Sequence, residues 1–297
     1  APPTAGTEVF APNFYGTSGY VGYLGAPADM HMLGYRNGGS QNAITSSRLI
    51  QGNKALVTSS SAAEITSNSS WDNMSGVSPV GTTLTTLISW TWKRAPGFFD
   101  VVAYSGLTSN QNINHNLGVV PELIIIKLRN GANSWPVYNK DSGVSNVLYL
   151  NQTWGNGSTT RWNSTAPTET QFTLKGSNSA SNTSGENYVA YLFATLAGVS
   201  KVGSYTGNGS SQTINAGFTT GARFILIKRT DSTGDWYIWD TTRGIVAGND
   251  PHLSLNTTAV EVSDDSIDPD SSGFIVNQIA ATNINVSAAT YIFYAIA

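Results

Sequence analysis

The stretches Gly97-Phe-Phe-Asp-Val-Val-Ala-Tyr-Ser-Gly106 and Gly198-Val-Ser-Lys-Val-Gly-Ser-Tyr-Thr-Gly207 decide the fold of this chain. They match at an offset of 101 residues, and the same offset pairs Ile124-Ile-Ile-Lys127 with Ile225-Leu-Ile-Lys228. Further matches follow at offsets that drift by a few residues, within stretches rich in Gly, Ser and Asn. Because loops vary in length more than the elements they connect, this drift is typical of copies of one folded unit.

A third and weaker copy precedes these two. Leu87-Ile-Ser-Trp-Thr-Trp92 matches Tyr188-Val-Ala-Tyr-Leu-Phe193 at an offset of 101 residues. The chain therefore divides into a degenerate first unit (residues 1–95) and two closer repeats (residues 96–196 and 197–297). The connections between the units are short and contain no Ser/Gly tether, which favours units packed in a fixed stack.

Each unit has the sequence pattern of an all-β fold. Runs rich in β-branched and aromatic residues, such as Phe224 to Ile227 and Trp236 to Trp239, have the composition and length of strands. Turn sequences such as Asn130-Gly131, Gly207-Asn-Gly209 and Gly248-Asn-Asp250 separate such runs. No window of about 12 residues has a convincing helical period. We therefore predict tandem, jelly-roll-like β-sandwich repeats of about 100 residues each.

The composition is that of a folded protein with a nearly neutral surface. The chain has 297 residues, of which 33 are charged and 95 are Ser, Thr or Asn, and its net charge is −3. Without a Lys/Arg cluster it lacks the electrostatic footprint of a nucleic-acid-binding protein. It contains no Cys, which excludes disulfides and thiolate metal sites. No apolar run approaches the roughly 18 residues of a membrane-spanning helix, so we expect no membrane insertion.

The residue types that catalysis needs are scattered along the chain. His31, His115 and His252 have no carboxylate or second histidine at metal-ligand spacing. For His115 we expect a turn position with hydrogen bonds to local backbone. Acidic pairs suited to glycoside hydrolysis do not recur between the units, and the Gly-x-Ser-x-Gly, P-loop and Rossmann motifs are absent. The sequence therefore predicts a protein that is not an enzyme and has no cofactor, unless it binds calcium.

The densest acidic stretch is the candidate for that metal. Asp264, Asp265, Asp268 and Asp270 lie close together in sequence, and calcium accepts oxygen ligands from irregular loops. The spacing lacks the EF-hand order and its closing Glu, and the second unit has no carboxylate at the corresponding place before Glu169. Two interpretations stay open: a calcium site, or a turn in which the Asp side chains bond to nearby groups.

The tryptophans divide into core and surface candidates. Trp135 and Trp236 recur at the same position of two diverged units, which favours core packing because every copy must fill the same interior. Trp154 and Trp162 flank a Gly-, Ser- and Thr-rich loop and are better candidates for exposed contacts. A planar apolar ring edged by amide and hydroxyl groups suits a sugar ring. The candidate ligand-binding residues are therefore Trp154, Asn156, Arg161 and Trp162.

Longer stretches of the chain resemble a repeat domain of uncharacterised function in marine bacteriophage proteins. The resemblance is close over about residues 85–297 and loose over the first unit. It rests on the stretches Ser89 to Tyr104, His115 to Glu122, Tyr188 to Ala194, Gly198 to Gly207, Phe224 to Trp236 and Arg243 to Pro251. Such repeats are similar to modules in the C-terminal part of cyanophage and pelagiphage tail-fibre-like proteins. The resemblance implies a virion-surface location and supplies no catalytic residues to carry over.

The resemblance and the tandem units together favour a structural virion protein. We expect a tail fibre or fibre-like appendage that attaches to a glycan of the host surface. Its other expected partners are virion proteins and further copies of itself, with a trimer favoured by analogy with fibres. One alternative is a capsid decoration or head-fibre protein, for which three units suffice. A second alternative is a carbohydrate-active enzyme such as a capsule depolymerase.

Overall fold

The computed structural model describes residues 1–15, 22–37, 44–50, 53–67, 69–77 and 86–297. This part of the chain is built from β-strands, with single turns of 3₁₀ helix at Gly6–Glu8 and Arg48–Ile50 and no α-helix. In the same residues no helix has the length and apolarity needed to cross a membrane. The predicted all-β, sandwich-like fold is confirmed.

The strands fall into three consecutive groups along the chain. The first group is β1 (Phe10–Phe14), β2 (Gly22–Tyr23), β3 (Met30–Tyr35), β4 (Ile44–Ser47), β5 (Lys54–Val57), β6 (Ile65–Thr66), β7 (Gly76–Val77) and β8 (Leu87–Trp92). The second is β9 (Phe99–Ser105), β10 (Gln111–Asn114), β11 (Leu123–Leu128), β12 (Pro136–Asn139), β13 (Asn146–Tyr149), β14 (Gly157–Ser158), β15 (Gln171–Leu174) and β16 (Asn187–Phe193). The third is β17 (Ser200–Thr206), β18 (Gln212–Asn215), β19 (Phe224–Arg229), β20 (Trp236–Asp240), β21 (Asp250–Ser254), β22 (Val262–Asp264), β23 (Ile267–Asp270), β24 (Gly273–Val276) and β25 (Thr290–Ile296).

Each group forms one large and one small antiparallel sheet, with the same strand order in all three. The large sheets run β1-β8-β3-β4-β5-β6, β9-β16-β11-β12-β13-β14 and β17-β25-β19-β20-β21-β22. The small sheets are β2-β7, β10-β15 and β18-β24-β23. Apolar residues of each small sheet pack against its own large sheet. We call the three assemblies the first, second and third sandwich.

Both faces of each large sheet are buried. Along β11, Ile124 and Ile126 pack inside the second sandwich, whereas Leu123 and Ile125 belong to a central core. The neighbouring residues of β19 divide in the same way. Because both faces are covered, these strands are continuous apolar runs and do not alternate between apolar and polar residues.

The central core is shared by all three sandwiches. The ring of Phe193 in the second sandwich lies 6.5 Å from Trp92 of the first and 4.9 Å from Tyr294 of the third, measured between ring centroids. Phe224 of the third sandwich lies 5.0 Å from Phe10 of the first. These separations are in the range of favourable aromatic pairs. The three sandwiches therefore cannot separate without exposing a common apolar centre to water.

Three joints close the sandwiches into a ring. At each joint, a backbone N–H in the loop after the fifth strand of one sandwich donates to the carbonyl that follows the third strand of the next. The pairs are Glu64 to Arg129 (2.8 Å, first joint), Asn156 to Thr230 (2.7 Å, second joint) and Glu261 to Arg36 (2.8 Å, third joint). The third joint returns the last sandwich to the first. The units therefore pack against one another in a closed ring.

Buried side chains reinforce the first two joints. Trp135 and Trp236 are buried, as predicted, and their indole N–H groups donate to the carbonyls of Ser60 (3.0 Å) and Tyr149 (2.9 Å) in the preceding sandwich. Lys228 Nζ donates across the second joint to the Thr153 carbonyl at 2.8 Å, and Lys127 does the same at the first joint. Burial lowers the pKa of both lysines to about 8.

The third joint contains a fully buried ion pair. Its core is the ion pair between Arg243 and Asp240, with 2.6 Å between Nε and Oδ2 and both side chains fully buried. Glu261 accepts from Arg36 at 2.6 Å and lies 3.4 Å from Arg243. The indole N–H of Trp90 donates to Asp240 at 2.9 Å. One chain of charged and aromatic groups thus connects the third sandwich to the first.

Candidate functional site

Trp154 is the exposed aromatic residue among the predicted ligand-binding residues. It lies in the loop between β13 and β14, and 59% of its surface is exposed. Its ring meets Tyr149 edge to face, with the centroids 6.3 Å apart and the planes at 89°. The Tyr149 ring therefore supports the indole, while most of the Trp154 side chain stays exposed to solvent.

The loop that carries Trp154 is fixed against the third sandwich. Residues on both sides of Trp154 contribute: the Thr153 carbonyl accepts from Lys228, and the Asn156 N–H donates to the Thr230 carbonyl. Gly155 lies so close to the third sandwich that a Cβ there would approach the Thr230 carbonyl oxygen to 2.6 Å. Only glycine fits this approach. Asn156 is exposed.

Trp162 and Arg161 lie inside the second sandwich. The expectation that Trp162 is exposed is wrong, since 2% of its surface is accessible. Its indole N–H donates to the Asn146 carbonyl at 2.9 Å, and its ring packs 5.5 Å from that of Tyr138. A large apolar ring with a satisfied N–H gains more from filling the space between the sheets than from remaining in the loop.

Arg161 is buried as well, but it contacts the ring that supports Trp154. Its guanidinium lies 6.0 Å from the centroid of Tyr149 and donates to Asn178 and, at 3.0 Å, to Ser181. Burial lowers the pKa of this guanidinium from its ordinary value. Arg161 therefore supports Tyr149 from within the sandwich, and its burial does not fit the predicted direct contact with a ligand.

The four predicted calcium ligands do not converge. Asp270 accepts from the backbone N–H and the hydroxyl of Ser272 at 2.8 and 2.6 Å, which is the geometry of an Asx turn. Asp268 accepts from the Gly248 N–H at 3.0 Å and from the amide of Asn277 at 2.7 Å, and Asp265 accepts from Asn277 at 3.2 Å. In the described part of the chain, no group of three or more His, Asp or Glu residues is placed to hold a metal ion. Asp270, Asp268 and Asp265 bond to nearby groups, as in the turn interpretation, whereas the carboxylate oxygens of Asp264 in β22 have no hydrogen-bond partner among the described residues.

Asp250 is the unusual carboxylate of this region, and sequence reasoning placed it in a turn. It begins β21 opposite Asp264 of β22 and is 0% exposed. One carboxylate oxygen accepts from the Val246 N–H at 2.6 Å, and the other has no hydrogen-bond partner among the described residues. Burial, followed by the charges of Asp268, Asp265 and Asp264, raises the pKa of Asp250 to about 7. The sequence signal for the burial of Asp250 was the alternation Asp-Pro-His over residues 250–252, which places Asp250 and His252 on the same face of a strand.

The histidines occupy structural positions in three different sandwiches. His115 donates from Nε2 to the Thr168 carbonyl at 3.1 Å and accepts the Leu117 N–H at Nδ1, with the tautomer assigned from these bonds. This confirms the predicted backbone-bonded turn. His31 is buried, which lowers its pKa to about 3, and its Nε2 lies 3.1 Å from Ser69 Oγ. His252 Nδ1 lies 3.7 Å from Asp264, and burial lowers the pKa of this imidazole.

The fold and the site define a class: an all-β protein of packed sandwiches that presents an exposed tryptophan on a rigid inter-sandwich loop. Within that class, residues 70–297 match the model of a domain of unknown function, DUF7483, and the chain belongs to this family. The match includes all of the second and third sandwiches and begins before β7 of the first. No curated protein matches the chain.

Proposed function

We propose that the chain is a structural protein of a bacteriophage virion surface, a tail fibre or fibre-like appendage, and that it attaches the particle to a host glycan through Trp154. The observation that carries the attachment role is the exposed indole of Trp154, mounted on a loop that hydrogen bonds fix to the third sandwich. Its stacking face is preorganised, so little conformational entropy is lost when a sugar ring binds. The resemblance of the repeats to tail-fibre-like modules supports the virion location. Other virion proteins and further copies of the chain, in a trimer by analogy, are its proposed assembly partners.

The attachment role is tested with purified protein on glycan arrays and on host cells. Trp154→Ala should weaken binding about tenfold or more, which corresponds to roughly 1.4 kcal/mol. Met74→Ala is the control, because Met74 is another exposed apolar side chain, 76% accessible, in a different sandwich. Arrays and cells that stay blank with the wild-type chain, or equal losses in both variants, would exclude this function.

The closed ring favours a second candidate, a capsid decoration or head-fibre protein. Three sandwiches with the same strand order surround one core, so the molecule has an approximate threefold arrangement of its own. Such an arrangement suits a position of local threefold symmetry on a capsid. Immunogold labelling of intact particles separates the candidates: label on the tail supports the fibre, and label distributed over the head supports decoration.

A further inference from the structure

A polar groove opens at the second joint, away from Trp154. It lies between the residues that follow β12 and the strands β17 and β18, and its volume is about 390 Å³. This volume falls in the range of small-molecule sites. Pro136, the first residue of β12, pairs with Tyr149 near the Trp154 loop, whereas Lys140 of the groove follows the last residue of β12. The groove and Trp154 therefore lie at opposite ends of this strand.

At the corresponding places of the other two joints, described residues contact the neighbouring sandwich. At the first joint, the 3₁₀ turn Arg48–Ile50 packs against β9, and Ile50 enters the central core. At the third joint, the residues after β20 lie on β1, where the Thr242 hydroxyl donates to the Pro12 carbonyl at 2.7 Å.

The groove walls carry unused hydrogen-bonding groups. Lys140 is held by Glu122 at 2.7 Å, but neither Lys201 nor Asp141 has an ion-pair partner among the described residues. Gln212 presents a buried side-chain carbonyl oxygen that no described donor reaches. Ser204, Thr213 and Asn215 add hydroxyl and amide groups to the lining. The opening is therefore lined by both donors and acceptors.

The remaining lining is apolar. Phe293 pairs across the sheet with Gly203, and a Cβ on that glycine would lie 2.6 Å from the Phe293 ring. The absence of a side chain at Gly203 lets the phenyl ring lie across β17 beneath the opening. Val202 and Ile214 complete this apolar part. An apolar surface bordered by hydroxyls, amides and single charges suits the C–H face and hydroxyl edge of a sugar ring.

We propose that the groove is a second carbohydrate-binding site and takes a neutral saccharide unit, an inference that rests on the proposed glycan-attachment function. Sugar hydroxyls accept from Lys201 and Gln212 and donate to Asp141 and to the Gln212 carbonyl oxygen. Lys201 and Asp141 have opposite charges, and Lys140 is paired with Glu122, so the groove gives no preference for a charged ligand. The second joint then carries two contacts for one glycan chain, which raises avidity by effective concentration.

The groove is tested by nuclear magnetic resonance titration of the labelled chain with lactose, maltose, N-acetylglucosamine and, for comparison, glucuronic acid. We expect a neutral sugar to shift the amide signals of residues 201–205 and 212–215, and the double variant Lys201→Ala/Gln212→Ala to weaken this binding at least tenfold. Gln111→Ala is the matched control, since Gln111 occupies the same position of β10 in the second sandwich, with an equally unpartnered oxygen. It should leave the titration unchanged.

Several results would overturn the groove proposal. They are the absence of shifts in these residues with every neutral sugar, a stronger response to glucuronic acid, or equal losses in Gln111→Ala and the double variant. Binding to host cells, measured in parallel for the wild-type chain and Trp154→Ala, reports on the attachment function separately. Cell binding that depends on Trp154 without any groove response would refute the second site alone. A groove response without cell binding would refute attachment alone.

Discussion

At the residue scale, Asp250 is the group whose charge the fold disfavours most clearly. It is fully buried, faces three other aspartates, and has one oxygen without a described partner. Its pKa is about 7, against an ordinary value of 3.8, so the protonated form is favoured in the folded chain. When the pKa of a group is higher in the folded than in the unfolded chain, its contribution to stability is fully present at a pH below the unfolded-state pKa. This contribution is lost as the pH rises through the folded-state pKa.

We therefore predict that Asp250→Asn stabilises the protein at neutral pH. An asparagine keeps an oxygen for the Val246 N–H and replaces the disfavoured charge by an amide donor directed toward the aspartates. The gain in unfolding free energy should be near zero at pH 4 and grow to about 1–3 kcal/mol at pH 8. Urea denaturation at several pH values measures it. Asp270→Asn, at an exposed Asx turn, should give no such gain, and a gain in Asp250→Asn that does not change with pH would contradict the assignment.

At the element scale, the three joints share one backbone hydrogen bond but differ in the side chains around it. Glu64 and Glu261 occupy equivalent positions, and each N–H donates to the carbonyl after the third strand of the next sandwich. Glu64 pairs with Arg129 at 3.0 Å. Glu261 pairs with Arg36 and also lies beside Arg243, which is fully buried. When a nearby carboxylate is removed, the charge of a buried guanidinium loses more stabilisation than that of an exposed guanidinium, because water cannot replace the carboxylate.

This difference gives a matched pair of variants. Glu261→Gln should lower the free energy of unfolding by about 2–3 kcal/mol, and Glu64→Gln by less than about 1 kcal/mol. Chemical denaturation measures both, and added salt should reduce the smaller effect more, because Glu64 has no fully buried partner such as the Arg243 beside Glu261. Equal losses in the two variants would mean that the third joint does not depend on its charge network.

The elements themselves were predictable from the sequence, and their assembly was not. Repeated apolar runs such as Ile124 to Lys127 and Ile225 to Lys228 have the length of strands and lie in β11 and β19. The burial of Trp135 and Trp236 followed from their recurrence. The burial of Trp162 did not follow, because it depends on a carbonyl at Asn146 and a ring at Tyr138 that only the fold brings near. The joints likewise connect residues far apart in sequence, for which one sequence carries no pairing signal.

At the scale of the whole molecule, the shared core makes the three sandwiches one cooperative structure. Phe224 belongs to the third sandwich but contacts Phe10 and Trp92 of the first and Tyr294 of its own. A sandwich that unfolded alone would expose the inner faces of the other two large sheets to water. Partial unfolding is therefore unfavourable.

We predict a single thermal unfolding transition, with equal calorimetric and van 't Hoff enthalpies. Phe224→Ala should shift that transition downward as a whole, with a loss of about 3–5 kcal/mol, because the cavity lies where the sandwiches meet. Differential scanning calorimetry distinguishes this behaviour from independent domains. Two or three resolved transitions, or a Phe224→Ala profile in which one part melts early, would show that the sandwiches unfold separately.

Because all three sandwiches belong to one chain, the residues of each joint can change independently of those at the other two. In a homotrimer every substitution appears three times, so one residue type must serve three interfaces at once. Here the position of Lys127 and Lys228 is taken in the first sandwich by Gly34, where a Cβ would lie 2.7 Å from the ring of Trp90. A mutation that weakens one joint leaves the contacts of the other two joints unchanged. Surface variation can therefore accumulate at a single interface while the scaffold keeps its stability.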